Sequence, residues 1–206
     1  SDVCSSDLKG EITMGAIFQS LQRTILAGVV LLVLIVAATG SAVAFDHAWG
    51  AFVMRWLHVL VGVMWIGLLW YFNFVQIPSM PKIPDEQKPA ISKVIAPTAL
   101  FWFRYAALFT VVTGLLLAGA NGYLVQALTL QRPVLAIGIG MWLAIVMAFN
   151  VWFIIWPNQK KALGIVQVEA AEKAAAARLA MLTSRFNTMF SIPMLYMMVA
   201  QQNGGL

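Results

Sequence analysis

The sequence predicts an all-α integral membrane protein, a bundle of about five transmembrane helices. Three observations carry this. Of the 206 residues, 61% are hydrophobic and only 10% are charged, whereas a soluble domain is nearer half apolar and a quarter charged. The mean hydropathy is +0.84. The apolar residues also fall in long runs of about 20, the length that crosses a bilayer as a helix. The net charge of +5 is spread over the connections between these runs, where it sets topology, and does not form a nucleic-acid-binding patch.

Ser1–Leu8 reads as the translation of a sequencing adapter and is set aside, with Met14 as a plausible start. Residues 9–206 are then one transmembrane helical domain. The single cysteine, Cys4, falls in the discarded stretch and has no partner for an internal disulfide. The first apolar run is Thr24–Phe45. It is read as a retained span rather than a signal peptide cleaved after Ala42-Val43-Ala44, because the run is long for a signal core.

The second span runs from about Ala51 to Ile77, with Trp49, Trp56, Trp70 and Tyr71 near its ends, where amphipathic rings prefer the interface. Pro78, Pro81 and Pro84 are expected to end it. A polar loop over 78–98 leads to the third span, Ala99–Ala120, closed by the turn signal Asn121-Gly122. The fourth starts at Pro133, a good first helical residue, and is expected to stop at Trp156-Pro157. An Ala-rich helical stretch follows and runs into a fifth span, Leu179–Ala200, with a kink near Pro193. With the N-terminus cytoplasmic and the C-terminus periplasmic, ten of the thirteen Lys and Arg fall on the cytoplasmic side and only Arg55 and Arg132 outside.

His58 is the one histidine inside an apolar run. On a helix it shares a face with Arg55, Gly62 and Trp65. An ionisable group at such depth is costly, which marks it as a functional candidate. A neutral imidazole suits a buried iron, Gly62 leaves room for a flat ring, and Trp65 can pack on the ring's edge. The structural alternative is a histidine hydrogen-bonded to a neighbouring helix. His47 lies eleven residues earlier, about 16 Å away along a helix, too far to ligate the same iron. A haem at His58 therefore needs a Met ligand, an open position or a ligand from a second chain. Met194, Met197 and Met198 are read in the first place as packing.

Arg55 and Arg104 lie near or within spans that hold no acid, so either can meet an anion from outside the chain. Snorkelling to headgroups is the alternative. Ser184, Asn187, Thr188 and Ser191 share one helix face, and Asn73, Gln76 and Asn150 add amides. These frame a polar site toward the cytoplasmic side or, alternatively, bond helix to helix. No phosphate loop, dinucleotide fingerprint, CxxCH haem attachment or HExxH zinc motif occurs.

Three motifs carry a resemblance: Arg55-Trp56-Leu57-His58-Val59 with Gly62 and Trp65-Ile66-Gly67; Asn150-Val151-Trp152 leading to Trp156-Pro157-Asn158-Gln159; and Ser184-Arg185-Phe186-Asn187-Thr188 with Ser191-Ile192-Pro193. In order and spacing, over about residues 50–200, the chain resembles the membrane domain of bacterial cytochrome c-linked urate oxidases, the urate oxidase N-terminal family. Phe186 and Gln201-Gln202-Asn203 stand where that family commonly carries histidines. The resemblance implies an inner-membrane oxidoreductase acting on urate or a similar planar anion, with electrons passed to a c-type cytochrome on the outer side. It implies a substrate site built from Arg55, Asn150, Asn158, Gln159, Ser184, Arg185, Asn187 and Thr188. Together with the residue reading, it places b-type haem at His58, Gly62 and Trp65, with His58 as iron ligand. Membrane lipid and a second copy of the chain are further expected partners. The alternative readings are a non-enzymatic membrane subunit, whose polar spans pair with another membrane protein, and a transporter for a small anion built around Arg104.

Overall fold

A computed structural model describes residues 15–40 and 44–205. The readings of Ser1–Leu8 and of Ala42-Val43 lie outside these residues. The chain divides into two compact units, residues 1–45 and 46–206. The first contains α1, Leu21–Thr39, a helix with no acid in its first turn and no base in its last, and apolar on every face from Ile25 to Ala38, which suits lipid.

The second unit is a helical bundle. Helix α2 spans His47–Trp70 and starts at Asp46, whose carboxylate accepts the Trp49 backbone N–H at 2.9 Å, a favoured N-cap arrangement. Helix α3 spans Ala96–Ala120, α4 Leu124–Leu128, α5 Leu135–Phe149, α6 Trp156–Ala162 and α7 Ala170–Asn203. The bundle has two ends. One carries His47, Ala120, Pro133 and Gln201; His47 Nε2–H donates to the Ala120 carbonyl at 2.6 Å, and Gln201 Nε2 donates to the Pro133 carbonyl at 3.1 Å. The other carries Lys82, Lys88, Lys93, Lys160 and Lys161, and there Lys161 pairs with Glu172 at 2.7 Å.

Among the described residues, four stretches are long and apolar enough to cross a membrane: Leu21–Thr39, His47–Lys82, Lys88–Ala120 and Leu135–Ala162. The fifth expected span lies within α7, a single 34-residue helix with Pro193 inside it. Its hydropathy is lowered by residues that face inward: Ser184, Asn187 and Ser191 are all buried.

Two expected helix ends are corrected. Neither Pro78 nor Pro157 stops its helix. Each follows a π-helical turn, Tyr71–Gln76 and Asn150–Ile155, and the chain stays helical to Lys82 and Ala162. A third π-turn, Ile91–Ile95, precedes Ala96-Pro97. Proline's ring collides with the carbonyl four residues back, and residues 74, 93 and 153 all lie inside these π-turns. The wider turn moves that carbonyl aside, so the helix absorbs the proline. All three π-turns gather at the Lys82 end.

The core forms two clusters, a larger one between α2, α3, α5 and α7 and a smaller one of Ala118, Ala127, Ile137 and Met141. Trp65, Leu69 and Phe72 pack on Leu100, Phe103, Ala106 and Ala107 of α3, with Phe72 and Phe103 edge to face at 5.5 Å. Ala144, Met147, Val151 and Ile155 close the far side. Alanines at the α2–α3 and α5 contacts let backbones approach, as helices in lipid require. Gly138 goes further: a Cβ there would run into the Ala127 carbonyl, so α4 can lie on α5 only over a glycine.

Candidate functional site

A cavity of about 620 Å³ opens at the His47 end of the second unit, within the range of small-molecule and cofactor sites. Helix α2 brings Arg55, His58, Gly62 and Trp65 to one wall, as their spacing predicts. Thr110 and Gly114 of α3 form the second wall, and Met194 and Met198 of α7 the third. Tyr123, Gln202 and Asn203 complete the polar rim with Arg55. Burial pushes the Tyr123 phenol up from its ordinary value, against the opposite pull of the nearby Arg55 charge, so it stands at the rim as a neutral hydroxyl.

His58 is held by one nitrogen. Nδ1 lies 2.9 Å from the Thr110 carbonyl, which can only accept, so Nδ1 carries the proton. The Thr113 hydroxyl lies 3.3 Å from the same nitrogen and donates to Phe109 O at 2.6 Å, which leaves its lone pair toward the ring. Nε2 is therefore the basic nitrogen, without a protein hydrogen bond among the described residues. This is the second-sphere pattern that orients and activates metal-binding imidazoles. The ring also needs Gly114: a Cβ there would lie 2.9 Å from His58 Cε1 and 3.2 Å from Nδ1. Gly62 is more permissive, since its Cβ would meet only the Thr110 methyl at 3.8 Å. Trp65 is fully buried, and its indole N–H has no partner among the described residues.

Of the residues expected to form a substrate site, Arg55 stands at the large cavity and the others divide into three groups. Asn150 and Asn187 pair with each other: Asn150 Nδ2 donates to Asn187 Oδ1 at 2.8 Å, and Asn187 Nδ2 donates to the Met147 carbonyl at 2.9 Å. Thr188 donates to Ser184 O within its own helix, and Asn158 to Ile154 O within α6 and the π-turn before it. Trp70 Nε1 donates to Ser191 Oγ at 3.0 Å. The bonds of Asn187 and Ser191 tie α7 to its neighbours, while those of Thr188 and Asn158 are local. Ser184 and Gln159 instead border a second, smaller cavity. Arg185 is exposed, one residue off the buried face, and does not join the others.

Arg104 has no acid partner among the described residues. It is buried, with its guanidinium carbon 3.3 Å from the centre of the Trp156 ring, and Lys160 lies over the same ring at 5.7 Å. Cation–π attraction replaces the missing ion pair. Phe186, at a position where the resembled family carries histidine, packs on Phe190 with ring centres 4.1 Å apart. Gln201, the first residue of the other such stretch, accepts the Ile137 backbone N–H at 3.2 Å and so satisfies a donor at the start of α5.

Sequence reasoning missed the second and third walls of the large cavity. Thr110, Gly114 and Tyr123 carry no motif. A glycine in mid-span, Gly114, was the one available signal that another side chain needs the space.

The fold and cavity define a class: an α-helical bundle of membrane-spanning dimensions with a histidine- and methionine-lined apolar cavity at one end. Within that class, residues 123–204 match the model of the urate oxidase N-terminal family, so the relation is shown over that segment. The match contains the Asn150-to-Gln159 and Ser184-to-Pro193 motifs and begins after the His58 motif. No curated protein and no solved structure matches the chain.

Proposed function

We propose that the second unit is a redox module of the bacterial inner membrane that holds b-type haem in the large cavity, with His58 as an iron ligand. The observation that carries this reading is the state of His58, fixed through Nδ1 with Nε2 free beside about 620 Å³ of mostly apolar space. The residues present fit the group. Gly62 and Gly114 keep the wall flat, Met194 or Met198 is available as a second soft donor, and Arg55 stands at the rim for a propionate. Bound haem supplies one-electron transfer. The chain supplies orientation of the imidazole by Thr110, exclusion of water by the Trp65–Met194 layer, and a cation at the entrance.

The reading continues to urate or a similar planar anion as electron donor and a c-type cytochrome as acceptor, supported by the family relation over residues 123–204. The lysines gathered at the far end favour that end as cytoplasmic, which puts the His58 cavity, the C-terminus and the cytochrome on the periplasmic side. The reading as a non-enzymatic assembly subunit is less well supported, because the polar face of α7 spends its hydrogen bonds inside the bundle. The experiment is urate-dependent reduction of cytochrome c by the haem-supplied protein in proteoliposomes. Turnover lost in both Arg55→Ala and His58→Ala is the expected result. Folded, haem-containing protein without turnover would overturn the urate assignment.

A further inference from the structure

Two hydrogen bonds pin α2 and the π-turn after it to α7. Trp70 Nε1 donates to Ser191 Oγ at 3.0 Å, and Asn73 Nδ2 donates to Ser184 Oγ at 2.8 Å. From Trp70 toward the His47 end, the two helices line the large cavity from opposite sides instead. On α2 this lining runs from Arg55 to Trp70, about 22 Å of helix. Four residues of the lining also face outward: Val59 and Val63 of α2 are 56% and 68% exposed, and Leu195 and Val199 of α7 are 37% and 60% exposed. A side chain that lines a cavity and is also exposed stands at its mouth. Gly67, exposed on the same stretch of α2, adds room, since a Cβ there would meet nothing within 4 Å.

The cavity is thus a cleft with two openings. One is the polar rim of Arg55, Tyr123, Gln202 and Asn203 at the end of the bundle. The other is an apolar slot along its side, between α2 and α7. Depth decides what the slot meets. Val63 lies near the middle of the membrane-length stretch His47–Lys82, where the surroundings of a spanning helix are hydrocarbon and not water. Haem matches both openings. It is a flat amphiphile, apolar along one edge, with two carboxylates at the other.

We infer that the cavity is loaded from the bilayer: haem enters edgewise through the α2–α7 slot, its carboxylates toward Arg55, and the aqueous rim is not its route. The inference rests on the haem reading of the cavity and gives Val59, Val63, Leu195 and Val199 a role that no motif marks. The test is the rate of haem uptake. Haem-free full chain in phosphatidylcholine vesicles receives haemin, and growth of the protein-bound Soret band is followed in time. Val63→Trp and Val199→Trp each fill one lip of the slot from an exposed position, so the bundle keeps its fold, checked by circular dichroism. Each should slow uptake at least about tenfold. Leu60→Trp, at a position on α2 that is 54% exposed and away from the cavity lining, should load at the parent rate. Parent rates in both slot variants, equal slowing by Leu60→Trp, or slowing by Gln202→Trp at the aqueous rim and not by the slot variants would each overturn the inference and leave the haem reading standing. A folded parent chain that takes up no haem would overturn both.

Discussion

His58 needs two neighbours that differ in kind. Thr110 contributes a carbonyl that fixes the tautomer, and Gly114 contributes the absence of a side chain. Gly114→Ala should therefore force the imidazole off its seat and weaken haem retention about 10- to 100-fold, the usual effect of losing an orienting contact at a metal site. Gly62→Ala, with only a methyl at 3.8 Å to meet, should retain haem far better. A haem-to-protein ratio measured after purification of the two variants separates them; equal loss in both would mean that Gly114 has no special relation to the ring. The face Arg55–His58–Gly62–Trp65 was legible from spacing alone. The facing wall was not, because which residue of a second helix meets His58 depends on helix register, and register is a tertiary property.

At the scale of the element, α7 shows why a helix with polar residues can still belong to the core. Asn187 is fully buried and satisfied at both ends of its amide. Asn187→Ala should lower stability by about 1–3 kcal/mol, because the Asn150 amide would be left buried without its acceptor and the Met147 carbonyl, which also takes the Asn150 backbone N–H, would lose its second donor. Removing Asn150 as well should add little, since the pair acts as one unit. Thermal unfolding in detergent measures both, and simple additivity would contradict the pairing. The same helix marks a limit of sequence reading. Spacing grouped Ser184, Asn187, Thr188 and Ser191 on one face and left two roles open, a polar site or helix-to-helix bonding. The structure gives Asn187 and Ser191 to bonding and Ser184 to both, and the periodicity was the same either way. Helix ends were misjudged at Pro78 and Pro157 for a different reason: a proline stops an α-helix, but a π-turn ahead of it lets the helix run on. Gly138→Ala should likewise be strongly destabilising, because the atom it would meet is backbone of α4 and cannot rotate away.

At the scale of the whole second unit, the lysines and the large cavity lie at opposite ends of the bundle, with Arg55 at the cavity rim. That polarity is the basis for placing the cavity on the periplasmic side, and it makes a test of topology a test of function. A cysteine at Lys88 should react with an impermeant thiol reagent only after the inner membrane is opened, and one at Gln202 should react in intact spheroplasts. The reverse pattern would put the His58 cavity on the wrong side for an external cytochrome. The central claim is narrower than orientation or substrate: His58 presents a free Nε2 to a cofactor-sized cavity and ligates haem there. Its most direct test is the absorption spectrum of the purified, haem-supplied protein, oxidised and then dithionite-reduced, beside His58→Ala. The account predicts a Soret band and a reduced α band in the parent protein, both lost in a variant that still folds. A featureless spectrum from the folded parent, or bands that persist unchanged in His58→Ala, would contradict it.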